Sequence, residues 1–191
     1  MNEKKGKQRK IILKRLTILL LAILVIFGAI NVIWYFGHKR PYDKIAEHMS
    51  SGYLEGDGET GIKRYFLEVG EYTVSLKMPT YLCEGGFICI SRTRGYTGVL
   101  GEPGEILEGD DLLVSLYIWP KYFKGYTLGI DFMDDYNSIW EQVEVDSNLE
   151  IIDSEEYENL ELILKLMEEN ADEINLLVSI AEENLGIDIV D

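Results

Sequence analysis

A run of 21 residues without a charged side chain, Leu16 to Phe36, constrains this chain more than any other feature. Only Thr17, Gly28 and Asn31 interrupt its apolar character. As an α-helix rising about 1.5 Å per residue, the run would measure about 30 Å, which matches the hydrocarbon core of a bilayer. We therefore expect a transmembrane helix over residues 16–36, with the lipid bilayer contacted through Leu16 to Phe36.

Basic residues flank this run unevenly. Seven of them precede it, at positions 4, 5, 7, 9, 10, 14 and 15, whereas only Lys39, Arg40 and Lys44 follow closely. Because the cytoplasmic side of a membrane helix carries the excess of Lys and Arg, residues 1–15 are expected to form a basic cytoplasmic tail. The sequence thus predicts a single-pass protein of the cell membrane, with its N-terminus cytoplasmic and its C-terminal domain extracytoplasmic.

A cleaved signal peptide and a buried core helix are the two alternatives for this run. The apolar core of a signal peptide has about 7–15 residues and is followed by small residues. Here the run is longer and ends in the bulky residues Trp34, Tyr35 and Phe36. A core helix would leave the flanking charge asymmetry unexplained, so the sequence favours a retained signal-anchor helix.

The remainder of the chain is strongly acidic. Residues 37–191 hold 33 of the 34 acidic residues but only 11 of the 18 basic ones, which gives a formal charge of −22. A surface of this kind repels nucleic acid and attracts cations or basic partners. We therefore expect no nucleic-acid binding.

Alternation of apolar and polar residues predicts antiparallel strands from residue 61 to residue 152. Between the first two, Gly70-Glu71 suits a type II′ turn and pairs Val69 with Tyr72 and Leu67 with Val74. A second hairpin is predicted around Gly85-Gly86.

Two later hairpins join residues 112–119 with 126–133 and 139–145 with 149–152. Seven or eight short strands at this spacing are typical of an antiparallel β-sandwich-like domain.

The segments on either side of the strands differ from them in pattern. Residues 37–60 are expected to form a juxtamembrane helix and a Gly-rich spacer. Over residues 153–191 the apolar period changes to three or four, which predicts a C-terminal amphipathic helix or a helical hairpin whose second helix is capped by Asn170 and Glu173. The predicted class is therefore α+β. The apolar seam is expected to pack on the sheet, and self-association through the C-terminal helix as a coiled coil is the alternative.

The two cysteines of the chain, Cys83 and Cys89, lie symmetrically about Gly86. Outside the cytoplasm a cross-strand disulfide between them is our prediction, with two free, packed thiols as the alternative.

Four aromatic residues crowd the end of one predicted hairpin: Trp119, Tyr122, Phe123 and Tyr126. Such a cluster can stack on sugar rings or anchor a protein partner, and a hydrophobic plug that closes the sheet is the simpler interpretation.

The sequence shows no motif for catalysis, for a cofactor or for a metal. Three of its acids, Asp131, Asp134 and Asp135, cluster with Asn137, but the calcium-loop pattern is missing, so a solvated acidic surface is expected. We therefore expect a binding or scaffolding module at the cell envelope, not an enzyme, with a protein partner favoured over a small molecule. The alternatives are an envelope enzyme that uses paired carboxylates and a carbohydrate- or cation-binding surface module.

Overall fold

The structure, a computed structural model, describes residues 2–52, 64–81, 85–93, 112–121, 125–133 and 139–189, with side chains from residue 12 onwards. The predicted α+β class is confirmed at this level. A long apolar helix begins the chain, seven antiparallel strands follow, and two helices come after them.

The N-terminal helix continues without a break into the folded domain. α1 (Asn2–Trp34) leads through one π-helical turn (Tyr35–Lys39) into α2 (Arg40–Ala46). Within the described residues, the part from Ile12 to Ala46 is the one helix long and apolar enough to cross a membrane. Its most apolar window has no buried residue.

Pro41 accounts for the π-helical turn. Proline lacks an N–H group, and its ring crowds the carbonyl group four residues earlier, here that of Gly37. Just before Pro41 the helix widens, because the amide of Arg40 donates to the carbonyl oxygen of Tyr35, five residues back rather than four. The helix therefore passes the proline and continues into α2.

All seven described strands belong to one antiparallel sheet in which each strand pairs with its neighbour in the chain. They are β1 (Ser50–Gly52), β2 (Arg64–Val69), β3 (Tyr72–Lys77), β4 (Phe87–Arg92), β5 (Leu113–Pro120), β6 (Tyr126–Met133) and β7 (Trp140–Val145). The expected sandwich is not confirmed, because these strands form a single layer and helices cover its buried face.

The first predicted hairpin is confirmed residue by residue. Val69 pairs with Tyr72 and Leu67 with Val74. Gly70 has φ +61°, the left-handed conformation that the first central position of a type II′ turn requires. The predicted pairing of residues 112–119 with 126–133 is also found, as β5 and β6.

The second predicted hairpin is wrong in its pairing. β4 does not pair with a strand at residues 81–83, because its two neighbours are β3 on one side and β5 on the other. Tyr81 lies in a turn, and Leu82 and Cys83 lie outside the described residues. Gly86 packs so closely against Lys77 and Pro79 that a Cβ there would lie 2.8 Å from the Pro79 nitrogen. This close approach brings the chain back directly beside β3.

One face of the sheet forms the core with the helices. Alternate strand residues point into it and are buried: Tyr72, Val74, Leu76, Ile88, Ile90, Val114, Leu116, Ile118, Leu128, Ile130, Phe132, Val143 and Val145. In α3 (Leu160–Glu169) and α4 (Ala171–Leu185), five residues of the predicted apolar seam are buried: Ile163, Ile174, Val178, Ala181 and Leu185. Leu166 and Leu177, which the predicted seam did not include, are buried beside them. The seam is therefore buried within the chain.

Asn170 separates α3 from α4, but the predicted capping box is not formed. The Asn170 side chain makes no cap hydrogen bond to α4 and instead donates to the carbonyl oxygen of Leu166. Glu173 accepts hydrogen bonds from Arg92 (2.7 Å) and from the Tyr72 hydroxyl (3.3 Å). The carboxylate therefore joins the first turn of α4 to the sheet.

α2 is part of the same core. Tyr42 and Ile45 are only 1% and 4% exposed. The Tyr42 hydroxyl donates a 2.7 Å hydrogen bond to the carbonyl oxygen of Gly86. Nearer the N-terminus, Tyr81 donates from its hydroxyl to the side-chain oxygen of Asn31. The domain thus contacts the long helix at two levels.

Candidate binding face of the sheet

The second face of the sheet carries the residues that alternate with the core positions. α2, α3 and α4 place their buried side chains in the core, on the opposite side. A continuous cross-strand row on the second face runs through Phe66, Ser75, Cys89, Tyr117 and Gly129. We call this surface the second face and consider it the candidate site.

Three aromatic rings form a connected group on the second face. The ring centroids of Phe87 and Tyr117 lie 5.6 Å apart, and Tyr117 stacks on Trp119 at 5.7 Å with an interplanar angle of 15°. Because Tyr117 and Trp119 are two residues apart on β5, strand alternation brings both rings to the same side. The result is a ribbon of rings at one end of the sheet.

Cations border this ribbon. The Arg64 guanidinium lies 5.9 Å from the Phe87 ring centroid, and the Lys77 ammonium lies 5.6 Å from it. Lys77 lies opposite Phe87 on the adjacent strand β3, and Arg64 lies opposite Lys77 on β2, one strand further away. These distances are typical of cation–π contacts, so Phe87 contacts two basic side chains.

Gly129 makes room for Trp119. A Cβ at Gly129 would lie 2.8 Å from Cζ3 of the Trp119 indole. In the middle of a strand, glycine often marks a place where another group approaches the backbone closely. The absence of a side chain here therefore allows the indole to lie close against β6.

Cys89 lies between Ser75 and Tyr117 across the neighbouring strands. Burial is the largest effect on its thiol and raises the pKa to about 11. Burial likewise raises the pKa of the Tyr117 hydroxyl. At neutral pH the thiol is therefore protonated and a poor nucleophile, which favours a packing role over a catalytic one.

Trp140 lies at the other end of the second face, on the outermost strand. It is 72% exposed, and its indole N–H donates to Oδ1 of Asp131 at 3.3 Å. Burial raises the pKa of Asp131, and the indole N–H partly offsets this rise. An exposed indole fixed by a half-buried carboxyl group is thus available to an external ligand.

The predicted aromatic cluster is divided by the structure. Trp119 lies on the second face, whereas Tyr126 packs against the core, because residues 120 and 126 are opposite each other in the β5–β6 register. Tyr122 and Phe123 lie outside the described residues. Cys83 also lies outside them, so its disulfide with Cys89 stays a prediction.

Phe87, Tyr117 and Trp140 were not among the candidate site residues predicted from the sequence. A signal for Tyr117 was present, since it alternates with the apolar residues Leu116 and Ile118 in the strand predicted over residues 112–119. The described part of the chain contains no cluster of His, Cys, Asp or Glu that could hold a metal ion. Of the acidic group named from the sequence, Asp131 alone is described.

Comparison with known proteins gives no relative from which a function could be transferred. No protein-family model, curated protein or solved structure matches the chain.

Proposed function

We propose that this chain is a single-pass membrane protein that displays an acidic extracytoplasmic domain as a binding module for a protein partner. The exposed indole of Trp140 on the second face, held by Asp131, is the observation that carries the binding role. Tryptophan and tyrosine are enriched among residues that dominate binding energy at protein interfaces. With a formal charge of −22 beyond residue 36, the domain favours a basic partner.

Two contacts support a retained membrane anchor. Asn31 and Trp34 belong to the apolar run, and both contact Tyr81 of the domain. A signal peptide that is cleaved off would not be expected to make such contacts with the folded domain. The apolar side chains of the run are largely exposed, which is unfavourable in water and argues against a soluble core helix.

A binding role is favoured over catalysis by the chemistry of the second face. Its thiol is protonated at neutral pH, and Asp131 is engaged by the Trp140 indole. The enzyme alternative with paired carboxylates would need a second carboxyl group at a defined distance from a substrate.

Carbohydrate binding is the second candidate function. An exposed tryptophan beside a carboxylate suits a sugar ring, which stacks on the indole and donates hydroxyl hydrogen bonds to the acid. Trp140 and Asp131 provide this pair. A glycan that competes with the protein partner for Trp140 would favour this alternative.

Topology is tested by protease treatment of cells stripped of their wall, with an epitope at the C-terminus of the full chain. Digestion of the epitope without lysis is the expected result. Protection until the cells are lysed would place the acidic domain in the cytoplasm and contradict the proposal.

Binding is tested with a photo-crosslinking amino acid substituted for Trp140 in the full chain. The matched control carries the same amino acid at Leu164, which is 52% exposed on α3. We expect a discrete crosslinked protein from position 140 and none from position 164. The same product from both positions, or none from position 140, would contradict a binding site on the second face.

A further inference from the structure

We propose that Tyr81 and the end of α1 rest in the headgroup zone of the bilayer, so that the sheet domain sits directly on the membrane surface. The hydrocarbon core of the bilayer then ends near Asn31 rather than near Phe36. The inference rests on the membrane anchoring proposed above and goes beyond it, since an anchored domain could also stand clear of the lipid.

The side chain of Asn31 indicates where the membrane ends. Its amide nitrogen donates to the carbonyl oxygen of Phe27 at 2.7 Å, and its oxygen accepts from the Tyr81 hydroxyl. The Tyr81 ring also meets Trp34 edge-on at 5.0 Å between centroids. Tyr81 of the domain therefore reaches the level of Asn31 along the helix.

The length of helix between Asn31 and Phe36 gives the depth of this contact in the membrane. Asn31 lies five residues before Phe36, which corresponds to about 7.5 Å along the axis. If the hydrocarbon core extended to Phe36, Tyr81 and the irregular backbone of residues 78–80 would lie inside the lipid, where unpaired backbone groups are not tolerated. A boundary near Asn31 places them in the headgroup zone.

The other end of the span is compatible with this shift. A core about 30 Å thick needs about 20 helical residues, so it would begin near Ile12. Lys14 and Arg15 would then lie within the cytoplasmic edge. Long basic side chains at such positions extend towards the headgroups and keep their charge in water.

The side chains above Asn31 suit a headgroup environment. Tyr35, Phe36 and Tyr81 are 41%, 49% and 44% exposed, and aromatic residues concentrate at membrane interfaces. Arg40 folds back towards this level, with its guanidinium 5.3 Å from the ring centroid of Phe36, whereas the Lys39 ammonium pairs with Asp43 at 3.3 Å. The charge of Arg40 complements lipid phosphates, unlike the acidic surface of the domain.

Quenching of tryptophan fluorescence by brominated lipids tests this seating. The full chain with Trp34, Trp119 and Trp140 all replaced by phenylalanine receives a single probe, Tyr81→Trp, and is reconstituted in phosphatidylcholine–phosphatidylglycerol vesicles. Lipids brominated close to the headgroup should reduce emission of this probe as much as that of a variant that keeps only Trp34. A variant that keeps only Trp140 should be unaffected.

A second probe, Thr80→Trp, keeps the hydroxyl of Tyr81 and lies at an exposed position. It covers the case in which Tyr81→Trp does not fold, and the same quenching is expected. Quenching of Trp34 without quenching of either probe would overturn the inference and leave the anchor intact. Absence of quenching at Trp34 as well would overturn the anchor itself.

Discussion

Tyr42, one turn beyond the π-helical segment, donates a 2.7 Å hydrogen bond to the carbonyl oxygen of Gly86 at the start of β4. The ring is 1% exposed, so the bond lies in the core rather than at a surface. The two residues are 44 positions apart in the chain. Through this bond the helix that leaves the apolar segment is joined to the sheet domain next to the first residue of β4.

Removal of the Tyr42 hydroxyl tests how much this hydrogen bond contributes to the free energy of unfolding. In Tyr42→Phe the Gly86 carbonyl group loses its buried partner, so we expect the free energy of unfolding to fall by about 1–2 kcal/mol. The measurement is urea denaturation of the full chain in detergent, followed by tryptophan fluorescence. Tyr35→Phe, at a residue 41% exposed, is the matched control and should change stability little. Equal effects of both substitutions would contradict the assignment.

Adjacent glycines should respond very differently to alanine. At Gly86 a Cβ would lie 2.8 Å from the nitrogen and 2.9 Å from the Cδ of Pro79, whereas at Gly85 it would meet nothing within 4 Å. Gly86→Ala is therefore expected to reduce the free energy of unfolding by about 1–3 kcal/mol. Gly85→Ala should leave it unchanged or raise it by up to about 1 kcal/mol. Similar losses at both positions would show that the loop, and not the close approach, determines stability.

A double-mutant cycle tests the link between sheet and α4. Arg92 and Glu173 form a 2.7 Å ion pair with side chains 33% and 21% exposed. For Arg92→Met and Glu173→Gln we expect a coupling of about 0.5–1 kcal/mol, because partial burial reduces solvent screening only in part. The more exposed pair of Lys165 and Glu169, 3.7 Å apart, is the control and should couple less. Coupling that is unchanged in 1 M salt would contradict an electrostatic origin.

The reactivity of Cys89 tests the packing of the second face. In a Cys83→Ser variant, which isolates Cys89, burial keeps the thiol pKa at about 11. Alkylation of the folded protein at pH 8 should be roughly 100-fold slower than that of an unhindered thiol, because little thiolate is present. The unfolded variant is the control and should react at the ordinary rate. Fast labelling of the folded protein would show that this face is open around Cys89.

The same raised pKa predicts a pH dependence of stability. The folded state holds the Cys89 proton more tightly than the unfolded state, in which the thiol pKa is near its ordinary value of 9.0. The stabilising contribution is therefore fully present below pH 9 and is lost as the pH rises towards 11. In the Cys83→Ser background, Cys89→Ala should remove this part of the decline in stability, as measured by urea denaturation across that range.

Local turn chemistry and strand alternation made part of the fold predictable. The pairing of Leu67 with Val74 followed from the turn at Gly70-Glu71, because both features select one register. The pairing of residues 87–92 with β3 could not be predicted from the sequence. The sequence near Gly85-Gly86 resembles a tight turn, whereas the contact of Gly86 with Lys77 and Pro79 is tertiary and leaves no local signal.

The candidate site was harder to predict than the fold. Closeness in sequence grouped Trp119 with Tyr126, yet the β5–β6 register places them on opposite faces. Assembling Phe87 with Tyr117 requires the pairing of β4 with β5, which depends on residues about 30 positions apart. The exposed Trp140 is unremarkable in sequence, because its significance lies in its contact with Asp131.

The strictly sequential order of the sheet has a consequence for folding. Each described strand pairs with the described strand before it, so the sheet can grow as the chain emerges. Its apolar face, however, is covered by α2, which precedes the strands, and by α3 and α4, which come after every described strand. Between completion of β7 and the docking of α4, a sheet with an apolar face only partly covered would exist and would be prone to aggregate. The interval before residues 160–185 are in place is therefore the time at which this chain most needs protection.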